Sequence, residues 1–141
     1  DPRAHAVAGA VHTLAEVLAT VPEEEQVLPD LTGVEVVAQP HCHHHSVMGW
    51  AADRALLDRL GARVTQLDGC CGLAGNFGME RGHYEVSVAV AEDGLLPALE
   101  EHPGAVYLAD GFSCRTQAEQ LADRGGMHLA ALLAGGAPTR P

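Results

Sequence analysis

Residues 34–46 read Val34-Glu35-Val36-Val37-Ala38-Gln39-Pro40-His41-Cys42-His43-His44-His45-Ser46. The first five are largely β-branched and apolar and stop at Gln39-Pro40, the pattern of a short buried strand. Just past its end stand a cysteine and four histidines, residue types that ligate metals or carry redox chemistry. The same arrangement recurs twice. Arg63-Val64-Thr65-Gln66-Leu67 reads as a second strand, followed after Asp68-Gly69 by Cys70-Cys71. Ala105-Val106-Tyr107-Leu108-Ala109 reads as a third, with Cys114 shortly beyond it.

Between these strands the apolar period turns helical. Ser46 is expected to cap a helix whose Trp50, Leu56, Leu57 and Leu60 face inward until Gly61 stops it. Helical periodicity returns from His83 to about Asp93, and Gly94 and Pro97 predict a break before Leu99. Arg115 to Arg124 reads as a helix, and Met127 to Leu133 as a short final one. Ahead of the first strand, Val7, Val11, Leu14, Leu18 and Val21 fall on one stripe of a helix over 3–21, closed by Pro22 and Glu23-Glu24-Glu25.

Strands alternating with helices specify an α/β fold with a small parallel sheet of about three strands, flanking helices and right-handed crossovers. Residues 1–134 read as a single domain, and the glycine- and proline-rich stretch 135–141 as a disordered tail. Parallel strands end on a common edge, where α/β proteins build their sites. Cys42, Cys70, Cys71 and Cys114 are therefore expected to converge, although they lie up to 72 residues apart.

Composition narrows the chemistry. The chain has 141 residues, with 8 Lys and Arg against 19 Asp and Glu, a net charge of −11. Such a surface excludes nucleic acid and anionic membrane as natural partners. No apolar run approaches the ~20 residues of a transmembrane segment. The start, Asp1-Pro2-Arg3, is no signal peptide and lacks an initiator Met, so the chain reads as a piece of a longer protein. Lysine and isoleucine are both absent, which we ascribe to codon usage. Four cysteines are too few for a secreted disulfide scaffold, and a bridge between the adjacent Cys70 and Cys71 would be strained. Free thiols in a reducing, cytoplasmic compartment are the expectation.

Converging soft thiolates suit zinc or an iron–sulfur cluster. The segment 69–78 holds four glycines in ten residues and must be a loop with unusual backbone angles, in which N–H groups can approach the sulfurs. Successive loop residues point different ways, so one or two histidines of the 41–45 run can join the thiolates. His43 is the first candidate and His41 the second. His5, His12 and His102 read as ordinary surface, and His128 as packing. No dinucleotide-binding glycine fingerprint is present.

Together, Pro40-His41-Cys42-His43, Asp68-Gly69-Cys70-Cys71-Gly72 with Ala74-Gly75-Asn76-Phe77-Gly78, His83-Tyr84-Glu85-Val86-Ser87 and Asp110-Gly111-Phe112-Ser113-Cys114-Arg115 resemble the cysteine-rich CCG domain. That domain occurs in heterodisulfide reductases, in the glycolate oxidase iron–sulfur subunit, in lactate-utilisation proteins and, closest in phrasing, in the C-terminal part of FAD-linked D-2-hydroxyacid dehydrogenases. The resemblance covers about residues 12–135. It implies an α/β module that normally comes in two copies and passes electrons between a flavin and a cluster, of which this chain is similar to the second copy. The implied partners are an FAD-binding domain and the first CCG half, with FAD held outside this chain. In the family pattern the last motif is Cys-x-x-Cys, whose first cysteine falls on Gly111 here. The resemblance thus implies Cys42, Cys70, Cys71 and Cys114 as ligands of a 4Fe-4S type cluster or of zinc, with His43 as a further candidate and Arg115 as a positive charge favouring the reduced state.

Three functions follow from these residues. The first is a metal- or iron–sulfur-binding electron-transfer domain of a flavin-linked 2-hydroxyacid oxidoreductase, itself without catalytic residues. The second is a structural zinc module fixing a domain interface. The third is a thiol-based redox enzyme with Cys70 or Cys71 as nucleophile, activated by a histidine such as His43.

Overall fold

The computed structural model describes residues 1–135. Its centre is an all-parallel sheet of β1 (Glu35–Ala38), β2 (Arg63–Gln66), β3 (Val106–Leu108) and β4 (Gly126–Met127), in the order β2-β1-β3-β4. Val36 is paired with Val64 on one side and Val106 on the other, and Ala38 with Gln66 and Leu108. The central position of β1 explains its continuous apolar run: Val36, Val37 and Ala38 are all buried, because both faces of the strand are covered.

Alternation along the strands divides the core in two. Val36, Ala38, Leu108 and Met127 point to a cluster with Ala15, Trp50, Leu56, Leu57, Leu129 and Leu132. These come from α2 (Leu14–Thr20), α4 (Ala51–Arg59) and α8 (Leu129–Leu133), together with Trp50 just ahead of α4. Val37 and Tyr107 point the other way, to Ala91, Leu95, Leu99 and Ala118 of α5 (Tyr84–Asp93), α6 (Leu95–Glu101) and α7 (Phe112–Ala122). The sheet is thereby sandwiched between two helical layers, the α/β fold read from the sequence. The connection out of β1 runs to β2 on one side of the sheet and the connection out of β3 runs to β4 on the other. The crevice beyond the carboxyl ends of β1 and β3 is consequently a topological switch point.

Several elements differ from the periodicity. The segment 3–21 is two helices, α1 (Pro2–Gly9) and α2, because Thr13 restarts the helix with a capping box in which its hydroxyl accepts from Glu16 N–H and the Glu16 carboxylate accepts from Thr13 N–H. The single stripe is broken with it: Val7 is 67% exposed and Val11 55%, and Ala15 and Leu18 make the packing contact instead. Ser46 caps nothing. It lies inside α3 (Cys42–Val47), its hydroxyl donating to the His43 carbonyl at 3.3 Å, and α4 begins only after Trp50. The helix after β3 starts at Phe112 rather than 115, which puts Cys114 in its first turn. Met127, expected in the last helix, belongs to the fourth strand, whose two residues are too short to show a period. The break before Leu99 falls at Gly94, and Pro97 sits in the first turn of α6, where its missing N–H goes unmissed. Of the expected tail, Gly135 is exposed and residues 136–141 lie outside the described residues.

Candidate metal centre

Parallel register brings the three strand ends to one edge, and the cysteines follow at similar distances. Cys42 opens α3, Cys70 and Cys71 occupy the turn after β2, and Cys114 is the third residue of α7. Every pair among the four sulfurs interacts, by hydrogen bond or by charge. Cys71 is the hub. It accepts from the Cys114 thiol, from the backbone N–H groups of Leu73 and Ala74, and from Cys70. Cys42 in turn meets Cys70, whose sulfur also accepts from Gly72 N–H at 3.4 Å. None of the four is in a disulfide.

These contacts set the protonation states. The Cys114 hydrogen bond, helped by the two backbone N–H groups and opposed by burial, lowers the Cys71 thiol to about 6. Cys114 is held in its protonated form far above the ordinary thiol range, first because it donates to Cys71 and next because it is buried. Burial of its thiol and the neighbouring Cys70 raise Cys42, although the residue as a whole is exposed. Exposure grades across the site: Cys71 and Cys114 are each 2% exposed, Cys70 is intermediate and Cys42 faces solvent.

The glycine loop makes this cradle possible. Gly72 has φ +93°, and a Cβ there would stand 2.2 Å from the Ser87 carbonyl oxygen. Ser87 on α5 is itself held by Gln117 of α7, whose Nε2 donates to the Ser87 hydroxyl at 2.9 Å and to its carbonyl at 3.3 Å. Both side chains are buried, so the Cys-Cys-Gly turn is locked between two helices. Neither Ser87 nor Gln117 stands out in the sequence as a support of the site. Arg115 pins the other wall, its Nη1 donating to the carbonyls of Ala109 and Asp110 at 2.8 and 3.0 Å.

The histidine run resolves into separate roles. His43 is exposed on α3. A Cβ at Gly111 would fall 2.6 Å from Cδ2 of His41 and 3.0 Å from Cys114 Sγ, so the His41 ring lies in the space beside Cys114 that a side chain at 111 would claim. His44 turns inward instead, with Nε2 at 3.4 Å from Oδ2 of Asp53 on α4. His128 caps α8, its Nδ1 accepting from Ala130 N–H.

The donor chemistry fits a thiophilic metal group: a thiol lowered toward its thiolate, converging backbone N–H groups and a turn packed so closely at Gly72 that a Cβ there has no room. A tetrahedral zinc ion with Zn–S bonds of 2.3 Å would need sulfurs about 3.8 Å apart. Among the described residues the donor trio that closes to within 4.8 Å is His44, Asp53 and Asp110, and no three cysteine sulfurs do so.

A small parallel α/β unit with four thiols at its carboxyl edge is the class that fold and site define. Similarity points further. The chain is 38% identical over 82 residues to D-2-hydroxyglutarate dehydrogenase of Pantoea ananatis, a match that takes in 57% of this chain and 8% of that protein. It is 30% identical over 108 residues to the protein of the same name from Escherichia coli, covering 74% and 11%, and 36% identical over 67 residues to that from Pseudomonas putida, covering 47% and 6%. The chain thus spans about a tenth of the length of the curated relatives it matches. No family model matches it, and no solved structure matches it significantly. Among the described residues no helix is long and apolar enough to cross a membrane.

Proposed function

We propose that this chain is the iron–sulfur-binding electron-transfer domain of a flavin-linked 2-hydroxyacid oxidoreductase, with Cys42, Cys70, Cys71 and Cys114 as ligands. The observation that carries the reading is the convergence of four thiols from three strand ends, linked in a row by the Cys42–Cys70, Cys70–Cys71 and Cys71–Cys114 hydrogen bonds, with the Cys71 thiol lowered to about 6. A bound 4Fe-4S type cluster supplies reversible one-electron storage. The chain's own residues do the rest. Cys71 offers its sulfur already as thiolate, the Leu73 and Ala74 N–H groups stabilise its charge, and Ser87 with Gln117 holds the turn in place. Exposed Cys42 marks the side from which electrons arrive. FAD and the other CCG half then belong to the remainder of a parent protein, as the small share of each relative covered suggests, and four free thiols suit the cytoplasm. His41 beside Cys114 is better placed than His43 to complete the ligand set where Gly111 replaces a cysteine.

Two other readings fit less well. A structural zinc ion would draw three or four of these sulfurs together, and among the described residues no three of them lie within 4.8 Å of one another. A thiol enzyme needs its nucleophile within reach of substrate, whereas Cys71 is 2% exposed, which leaves only the partly exposed Cys70 for that role. Anaerobic purification followed by iron, sulfide and zinc analysis with electron paramagnetic resonance tests the proposal. Iron and sulfide in the wild-type chain and their loss in Cys71→Ser are expected. Wild-type protein without iron and sulfide, or a Cys71→Ser variant with undiminished content, refutes it.

A further inference from the structure

Beside the thiols, on the other face of β1 and β3, a cavity of about 10 Å³ is walled by Trp50, Leu108 and Leu129. That volume is close to one water-sized sphere. One donor atom each from His44, Asp53 and Asp110 lies within 4.8 Å of the others there. Asp53 is the anomaly. Its side chain is 3% exposed, and its Oδ2 has no hydrogen-bond partner; neither has the facing His44 Nε2. Their separation of 3.4 Å is longer than the 2.7–2.9 Å of a charge-assisted hydrogen bond. Burial pushes the Asp53 carboxyl up against the opposing pull of His44, and Asp110 adds a second carboxylate that raises it further. A buried carboxylate oxygen facing another acid and lacking a partner is costly unless something cationic lies between them.

We propose that His44, Asp53 and Asp110 form a site for one divalent transition-metal ion of the zinc class, separate from the thiols. The separation of 3.4 Å between His44 Nε2 and Asp53 Oδ2 equals the edge of a tetrahedron with bonds of roughly 2.1 Å, the Zn–N and Zn–O length. An imidazole in the donor set selects zinc-like ions over magnesium and calcium. Asp110 is oriented for the task by Leu129, whose N–H donates to its Oδ1 at 2.8 Å, the kind of outer support that metal-binding carboxylates receive. The ion joins α3, α4 and the loop after β3. His44 lies two residues from Cys42 and Asp110 four residues from Cys114, so the ion clamps two of the three thiol-bearing segments across the switch point. The site does not require a cluster on the thiols, and its test is separable from theirs.

The reduced, metal-free chain and the Cys71→Ser, Asp53→Asn and Asp110→Asn variants are titrated with Co²⁺ and Zn²⁺. Folding of each is checked by circular dichroism, and wild-type His44 is followed by imidazole ¹⁵N resonances. In Cys71→Ser, a cobalt equivalent with visible bands and no sulfur-to-cobalt charge transfer is expected. Asp110→Asn weakens that equivalent by more than the 10–100-fold typical of losing an outer-shell partner, and Asp53→Asn does the same if it folds. Zinc shifts His44 Nε2 in wild-type protein. Unchanged His44 resonances on adding zinc, or aspartate variants that bind as many equivalents as wild type with equal affinity, overturn the proposal, whatever the thiols bind.

Discussion

Replacing Gly72 with alanine tests the lock on the Cys-Cys-Gly turn. The new methyl carbon would lie 2.2 Å from the Ser87 carbonyl oxygen and 3.1 Å from Gln117 Nε2, at a residue with φ +93°. An L-residue in that backbone region costs about 1–2 kcal/mol. Forcing a methyl group into packed backbone costs about 1–3 kcal/mol more, and loosening the buried Gln117–Ser87 hydrogen bonds adds about 1–3 kcal/mol. A destabilisation of about 3–8 kcal/mol follows, a large share of the ~5–15 kcal/mol that holds a domain together. Gly75→Ala is the internal control: its φ is +74°, yet nothing lies within 4 Å of the new Cβ, so only the backbone cost of about 1–2 kcal/mol applies. For a domain of this size 1 kcal/mol moves Tm by roughly 3 °C. Thermal melts of the reduced, metal-free chain followed by circular dichroism should then fall by roughly 9–24 °C for Gly72→Ala and by roughly 3–6 °C for Gly75→Ala. Equal melting temperatures for the two variants would show that the Ser87 contact does not constrain the turn.

Thiolate absorbance of the metal-free, reduced chain should reveal one cysteine ionising at about pH 6, which Cys71→Ser abolishes. Because that folded-state value lies below the ordinary thiol value of 9.0, the contribution to stability grows as pH rises from about 6 toward 9 and is lost as pH falls through 6. Above 9 the proton retained on Cys114 reverses the trend, so urea midpoints should peak near that pH; a monotonic profile would contradict the shared proton. The flavin-free chain should not oxidise any 2-hydroxyacid with a dye as acceptor, and turnover there would refute a purely electron-transferring role.

Much of the architecture was legible because the sheet is buried on both faces. Val36-Val37-Ala38 has no polar alternative to hide, and the cysteines follow three strands closely enough that parallel register alone gathers them. The misses have local causes. Thr13 breaks a stripe that apolar spacing carried straight through, since periodicity cannot see a capping box. Gly126-Met127 is a strand only because β3 offers it hydrogen bonds. Among His43, His44 and His45 the inward residue depends on the phase of α3 against α4, which six helical residues cannot fix by pattern. Ser87 and Gln117 carry no chemical signature until Gly72 is seen pressed against one of them.

The gradient of exposure across the four sulfurs separates access from reactivity. The cysteine whose thiol is lowered to about 6, Cys71, is sealed from solvent, and the cysteine whose residue is exposed, Cys42, has its thiol raised and keeps its proton. Peroxide attack and alkylation both require a thiolate that can be touched. Before any metal group is loaded, Cys71 and Cys42 are therefore each guarded against oxidation, one by burial and the other by its retained proton.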